Sequence, residues 1–305
     1  MKKISETIVF FGSGPVGSDC LKKLSSSFNI EAVITKPKAP HHKGSMPVIT
    51  TAKELNIPIF TASNKQELDN LIKIAKFKSR LAILIDFGII VSSDVINSFK
   101  LGIVNSHFSL LPRWRGADPI TYAILKGDEK TGVSLMLIDE GLDTGKLIAQ
   151  RSIKINNETS TPELTNKLIL LSDQMLKEYV PKYIDKLIKP RSQPHPNRAT
   201  YSSKIQKIDG KIDWSNSAQE IQQQVRAFLG WPGSYTNILN KDVTITKAIV
   251  GNNSGKGAVG KLNIDKSKGL LEVQCGSGTL VFLKIKPAGK REMPARDFLA
   301  GYYKS

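Results

Sequence analysis

The chain is short of cysteine, of acidic side chains and of uninterrupted apolar sequence. Two cysteines in 305 residues, Cys20 and Cys275, exclude a disulfide framework and a cysteine-based zinc site, and they suit a reducing compartment. The longest apolar run, residues 81–91, contains Asp86 and falls short of the roughly 20 apolar residues that cross a bilayer. Met1-Lys2-Lys3-Ile4-Ser5-Glu6 leads into no apolar secretory core, so a cytoplasmic protein without membrane contact is expected. Asp+Glu number 27 against 44 Lys+Arg, a net charge of +17. That imbalance points to a polyanionic partner or an anionic surface and away from an acidic protein partner. What is present is ordinary for a folded chain: 40% hydrophobic and 23% charged residues exclude wholesale disorder, and the length suits two domains.

The first 190 residues alternate short apolar runs with helical patterns. Residues 7–11, 31–35, 81–85 and 101–105 read as strands that are apolar on both faces, with helices after the glycine turn at 12–17, over 48–55 and over 93–99. Such spacing predicts an α/β domain: a doubly wound, mostly parallel, Rossmann-like sheet covered by helices on both sides. Strands at 131–138 and 147–155 follow, and Ser160-Thr161-Pro162-Glu163 opens a long helix with a leucine-rich stripe. Three prolines, Pro190, Pro194 and Pro196, mark a semi-rigid connector. The expected division is therefore a catalytic domain over 1–188, a linker over 189–203 and a second domain over 204–305. Short alternating runs with Gly, Asn and Lys turns predict a small OB-like β-barrel for that second domain. Residues 201–305 hold 16 basic and 8 acidic side chains, making it the denser positive surface.

Gly12-Ser13-Gly14-Pro15-Val16-Gly17 meets the local requirements of a dinucleotide fingerprint, between a strand and a helix. Two features count against a nucleotide. The second strand ends on Thr35-Lys36 with no carboxylate for a ribose hydroxyl, and Pro15 removes an amide that would face a pyrophosphate. Lys36 would tolerate a 2′-phosphate, which keeps an NADP-dependent oxidoreductase as an alternative. A tight turn built on glycine backbone angles is the plainer reading.

Asn105-Ser106-His107-Phe108-Ser109-Leu110-Leu111-Pro112 is the sharpest feature. It lies at the C-terminal end of a predicted central strand, where open α/β sheets place their ligands. Asn105 and His107, two apart on extended backbone, project to one side, where an amide and an imidazole can both reach one carbonyl oxygen gaining negative charge. Gly141-Leu142-Asp143-Thr144-Gly145 can hold a carboxylate on a tight loop, and a carboxylate beside His107 favours the imidazolium and relays a proton. An ordinary turn aspartate is the alternative. Arg113-Trp114-Arg115-Gly116 reads either as a surface turn or as a positive, aromatic rim for an anionic ligand. The basic segment 36–47, with Lys36, Lys38 and Lys43 and no acid, reads as a solvated linker or a phosphate-contacting finger. His41 and His42 are adjacent, point apart and have no nearby carboxylate, so no metal site is expected.

On Asn105-x-His107 with Ser109-Leu110-Leu111-Pro112, followed by Gly141-Leu142-Asp143-Thr144-Gly145, the sequence resembles the 10-formyltetrahydrofolate-dependent formyltransferases. Arg113-Trp114-Arg115-Gly116-Ala117, Ile212-Asp213-Trp214-Ser215, Arg226-Ala227-Phe228, Trp231-Pro232 and Pro287-Ala288-Gly289-Lys290 extend the resemblance, end to end, to the branch acting on methionyl initiator tRNA. The resemblance implies formyl transfer from 10-formyltetrahydrofolate to the α-amine of the esterified methionine. Asn105, His107 and Asp143 match the family's catalytic positions, and Ser109, Leu110, Leu111 and Pro112 its folate segment, with Phe87, Gly88 and Ile89 beside the pterin pocket. Lys36, Lys38, Lys43, Arg113 and Arg115 fall where tRNA contacts are implied, and a monomer is expected. Three positions depart from the family pattern. The basic loop is shorter and carries His41-His42-Lys43, Asp86-Phe87-Gly88 stands where Ala-Tyr-Gly is usual, and Leu229-Gly230 replaces Asn-Pro. A formyltransferase acting on a small amine, such as glycinamide ribonucleotide or a nucleotide-linked amino sugar, would share the three polar groups without needing a basic second domain. A non-catalytic RNA-binding module would share the charge without them.

Overall fold

The computed structural model describes residues 4–38, 44, 46–251 and 257–303. The chain opens with β1 (Ile4–Phe11), α1 (Pro15–Leu24), β2 (Phe28–Thr35), α2 (Pro47–Glu54), β3 (Ile59–Thr61), α3 (Lys65–Ala75), β4 (Leu81–Leu84), α4 (Ser93–Asn97) and β5 (Ile103–His107). It continues with β6 (Arg115–Gly116), α5 (Pro119–Leu125), β7 (Lys130–Leu137), β8 (Leu147–Lys154), α6 (Thr161–Ile184) and β9 (Tyr201–Ser202). Then come α7 (Ala218–Ala227), β10 (Ser234–Ile238), β11 (Lys241–Val250), β12 (Leu262–Asp265), β13 (Leu270–Gln274), β14 (Thr279–Pro287), β15 (Met293–Pro294) and α8 (Ala295–Tyr302).

Two compact units result. One comprises Met1–Pro119, Thr131–Ile153 and Thr165–Ser202, and the other Ile120–Lys130, Lys154–Leu164 and Ser203–Ser305. The first holds a seven-stranded sheet in the order β3-β2-β1-β4-β5-β7-β8. β3, β2, β1, β4 and β5 run parallel, and β7 pairs antiparallel with β5, so the predicted mostly parallel sheet is present. The chain builds outward from β1 to β3 and then crosses to β4 on β1's other side. The connections after β1 and β4 therefore diverge and leave a switch-point crevice at their C-terminal ends.

Burial of both faces explains the unbroken apolar runs. Val9 and Phe11 pack with Leu68 and Ile72 of α3, Val95 of α4 and Phe99, while Ile8 and Phe10, alternating to the opposite face, are equally inaccessible. Local signals start the helices where they stand. Asn64 caps α3 by accepting from the Glu67 amide at 3.0 Å, and Glu67 answers the Ser63 amide at 2.7 Å.

The proline-rich segment is not extended throughout, since His195 takes a left-handed conformation and Pro196–Arg198 form a 3-10 turn, and it is fastened to the first unit. Arg191 and Leu147 exchange two backbone hydrogen bonds of 2.7 and 2.9 Å, and β9 pairs in parallel with β6. The second unit is a six-stranded antiparallel sheet, β10-β11-β14-β13-β12 with β15 on β14. Val243, Ile245, Leu271, Val273, Leu280, Phe282, Phe298 and the apolar face of α7 form its core. Ser217 and Glu220 make a reciprocal capping box at the start of α7. No helix of the described residues is long and apolar enough to cross a membrane.

Candidate active site

All five residues of β5 are buried, so its alternation assigns each side chain a definite face. Ser106 points to one face, where its hydroxyl meets Ser172 of α6 at 2.7 Å. Asn105 and His107 alternate to the other. Neither is a core residue by chemistry, yet they are only 9% and 6% exposed, so their polar atoms need partners.

Those partners come from two loops. Asp143, in the left-handed region with φ 51°, turns its carboxylate toward the strand. Its Oδ1 lies 3.5 Å from Asn105 Nδ2, and its Oδ2 accepts from the Gly116 amide at 2.7 Å and lies 3.7 Å from His107 Nδ1. The three groups expected to converge do so around one carboxylate. The other imidazole nitrogen, His107 Nε2, sits 2.9 Å from the Trp114 carbonyl oxygen. A carbonyl only accepts, so Nε2 carries a hydrogen, and Nδ1 is the nitrogen free to gain or lose a proton.

The supports of this arrangement were mostly not visible in the sequence. Gln193, from the proline-rich segment, donates from Nε2 to the carbonyls of Asp143 and Gly145 at 2.7 and 3.0 Å. Its Oε1 accepts from Arg115 at 2.7 Å. Gly145 has to be glycine, because a Cβ there would run into the Leu137 carbonyl. Gly116, at φ 114°, likewise passes against the Ser202 carbonyl. No local pattern distinguishes Gln193 from any polar linker residue.

The 109–113 turn is held from below. Ser134 donates to the Ser109 carbonyl at 2.6 Å and accepts from the Leu111 amide at 3.1 Å. Gln150 bonds the Leu111 carbonyl at 2.8 Å, and Ser109 Oγ bonds the Arg113 carbonyl at 2.5 Å. Leu111 packs inward on Met136 and Leu147, while Leu110 and Pro112 remain half-buried.

Several candidate binding residues lie elsewhere than the sequence suggested. Phe87 is 2% exposed and packs edge-on against Phe11 with ring centroids 5.3 Å apart, so only its backbone is available to a ligand; Ile89 also packs on that core. Gly88 is exposed, with φ 66°. Arg115 is buried and spent on Gln193, and Trp114 is buried as well, so the expected basic, aromatic rim is reduced to Arg113, whose guanidinium lies 4.3 Å from the Trp114 ring centroid. Lys38 is exposed, Lys36 is half-buried, and Lys43, with His41 and His42, lies outside the described residues. Among the described residues no group of three His, Cys, Asp or Glu could hold a metal ion.

Residues 6–180 match the family model for formyl transferase, and residues 204–303 the model for the formyl transferase C-terminal domain. The chain is 34% identical over 299 residues to the methionyl-tRNA formyltransferase of Myxococcus xanthus, covering 97% of this chain and 95% of that one. The chain belongs to the methionyl-tRNA formyltransferase family. The relative of that name from Thermodesulfovibrio yellowstonii is 36% identical over 306 residues, with 98% and 96% covered. A solved sugar 3N-formyltransferase, described in the presence of dTDP and 5-N-formyl-THF, shares the fold with a TM-score of 0.68 at 22% identity, over 94% of this chain and all of that one. HypX from Aquifex aeolicus, in complex with tetrahydrofolic acid, is similar with a TM-score of 0.65 at 15% identity, over 98% of this chain and 47% of that one.

Proposed function

We propose that this chain transfers the formyl group of 10-formyltetrahydrofolate to the α-amine of methionyl initiator tRNA. The observation that carries the reading is the convergence of Asn105, His107 and Asp143 in a chain whose full-length relatives bear that name. The folate is a co-substrate, consumed at each turnover. The neutral amine attacks the formyl carbon, and the carbonyl oxygen takes up the negative charge. An Asn amide carries two N–H donors, so Asn105 can steady Asp143 with one and meet the oxyanion with the other. His107, held by the Trp114 carbonyl through Nε2, presents Nδ1 to the same space. Its 3.7 Å separation from Asp143 is too long for a hydrogen bond, so an Nδ1 proton is not committed to the carboxylate. Asp143 passes the amine's proton, through water, to the departing folate nitrogen. No covalent enzyme intermediate is required.

We assign formyl transfer to residues 1–188, with Ser109 to Pro112 and the Phe87 to Ile89 backbone beside the folate, and tRNA binding to the basic segment 36–47, Arg113 and the basic region 204–305. The chain would act as a cytoplasmic monomer. The test is incubation of the enzyme with 10-formyltetrahydrofolate and either charged initiator tRNA or a nucleotide-linked amino sugar. N-formylmethionyl-tRNA is the expected product. KM for tRNA should rise steeply with salt, because phosphate contacts release counterions. Formylation of the amino sugar alone, or a KM indifferent to salt, would move the assignment to a small-amine enzyme.

A further inference from the structure

The glycine turn at 12–17 occupies the switch-point crevice between β1 and β4, where a doubly wound sheet ordinarily takes a phosphate, and the reaction above leaves it without a role. Every amide of the turn from Ser13 onward is directed at one residue of the chain itself. The Ser13 and Gly14 amides lie 2.8 and 3.4 Å from the Asp86 carbonyl oxygen. Pro15 has no amide hydrogen. The Gly17 amide lies 3.4 Å from Asp86 Oδ2, and the Val16 amide is directed at the same carboxylate, lowering its pKa. The carboxylate also lies so close that a Cβ on Gly14 would collide with Oδ2. Asp86 reaches this position by leaving β4 in the left-handed region, at φ 54°.

We propose that Asp86 is a built-in anion that fills the switch-point crevice and bars phosphate-bearing ligands from it, making it a specificity residue against small phosphorylated amines and dinucleotides. The proposal deepens the reading above, on which it rests for the acceptor: an amine delivered on a macromolecule needs no phosphate pocket at the sheet's switch point. An approaching phosphate finds these amides already turned toward Asp86, those of Gly14 and Gly17 at 3.4 Å, and it meets a negative charge. The carboxylate's own state agrees. Desolvation pushes its pKa above the usual range, with Asp118 adding to the rise while the Gly17 amide and Lys36 oppose it. Asp86 is itself exposed to solvent, so an approaching ligand meets its carboxylate directly.

The test is an amide-resolved NMR titration with inorganic phosphate on the wild-type chain, on Asp86→Gly and on Asp86→Asn. Glycine accepts the left-handed backbone and empties the crevice, whereas asparagine keeps the shape without the charge. In wild type the Ser13, Gly14, Val16 and Gly17 signals should stay still. In Asp86→Gly, which keeps the residue 86 carbonyl that holds the Ser13 and Gly14 amides, the Val16 and Gly17 signals should shift saturably, with affinity higher by on the order of tenfold or more, the scale expected when a like charge is removed. Asp86→Asn should fall between. Equal phosphate binding at these amides in wild type and Asp86→Gly overturns the proposal, as does an intact Asp86→Gly that binds no phosphate there. Should Asp86→Gly not fold, the comparison of wild type with Asp86→Asn decides in the same terms. The titration involves no formyl transfer, so it can fail while the proposed reaction stands, and the reverse.

Discussion

Two strand ends of one sheet gather polar groups and use them in opposite ways. At β5, the Asp143 carboxylate is shared among Asn105, His107 and the Gly116 amide, and two of those three contacts are long. At β1 and β4, the Ser13, Gly14, Val16 and Gly17 amides are all directed at Asp86. The first arrangement keeps the second Asn105 N–H for a reacting oxygen, whereas the second turns each of these amides toward Asp86, two of them at 3.4 Å. A concentration of polar groups therefore does not identify a site; unspent hydrogen-bonding capacity does. The sequence makes both ends look functional, since a G-x-G-x-x-G turn and an N-x-H strand each match a known chemistry. Only the partner of each amide separates them.

Breaking the open end should have the largest effect. Asn105→Ala removes an oxyanion donor, and the expected loss in single-turnover formyl transfer is on the order of 10² to 10³, typical for one such donor. Thermal unfolding should barely change, because the long Asp143 contact contributes little. Retention of more than about a tenth of the wild-type rate would show that Asn105 does not face the developing charge.

Next in size is the support behind that end. Gln193→Leu strips two acceptor carbonyls of their donor and leaves the buried Arg115 guanidinium without its Oε1 partner. A cost of about 1–3 kcal/mol in stability is expected for unsatisfied buried groups of this kind. Because the Asp143 loop then drifts, kcat should fall by on the order of tenfold to a hundredfold with KM for tRNA little changed. Gln193 acts here as a positioning residue. A rise in KM alone would instead tie Gln193 to substrate binding.

Much of this was legible in the sequence, and the failures share one cause. The parallel core strands and the capped helices rest on local periodicity and spacing, which the chain carries within short windows, and Asn105, His107 and Asp143 are grouped by the family resemblance. Gln193 and Arg115 depend on residues 50 and 78 positions away, and no local signal records such pairing. Arg115 shows the penalty: a cation beside a tryptophan reads as a rim, yet it is buried. Phe87 misleads in the same way, since an aromatic after a strand suits a ring-binding pocket as well as it suits the edge of Phe11. Asp86 is visible as a departure from the family pattern, but its purpose appears only once the β1–β4 crevice exists.

The opposite face of β5 provides an internal control. Ser106→Ala deletes the 2.7 Å contact with Ser172, and a loss of about 1 kcal/mol is expected. The Ser172 hydroxyl can turn to its own helix backbone, which limits the damage. Formyl transfer should be unchanged at a temperature where both proteins are folded. A parallel drop in kcat would mean that the faces of β5 are not independent.

The smallest effect tests the closed end through stability. The folded-state pKa of Asp86 is raised, first by desolvation, against the opposing Gly17 amide, with Asp118 raising it further and Lys36 and the Val16 amide lowering it. Across the window from the ordinary carboxyl value of about 4 up to that raised value, the folded chain holds more protons than the unfolded chain. Stability therefore falls as pH rises through the window and stays reduced above it. Asp86→Asn does not titrate and escapes that fall. Its Tm relative to wild type should climb through the window and level off above the raised value, and the difference should shrink toward its acid baseline below about pH 4. Asp118 helps to raise the Asp86 pKa, so Asp118→Asn should reduce the climb by removing one contribution to the rise. A Tm difference that is flat with pH would mean that the Asp86 carboxylate is solvated like any surface acid, and the recess would then be no barrier to a phosphate.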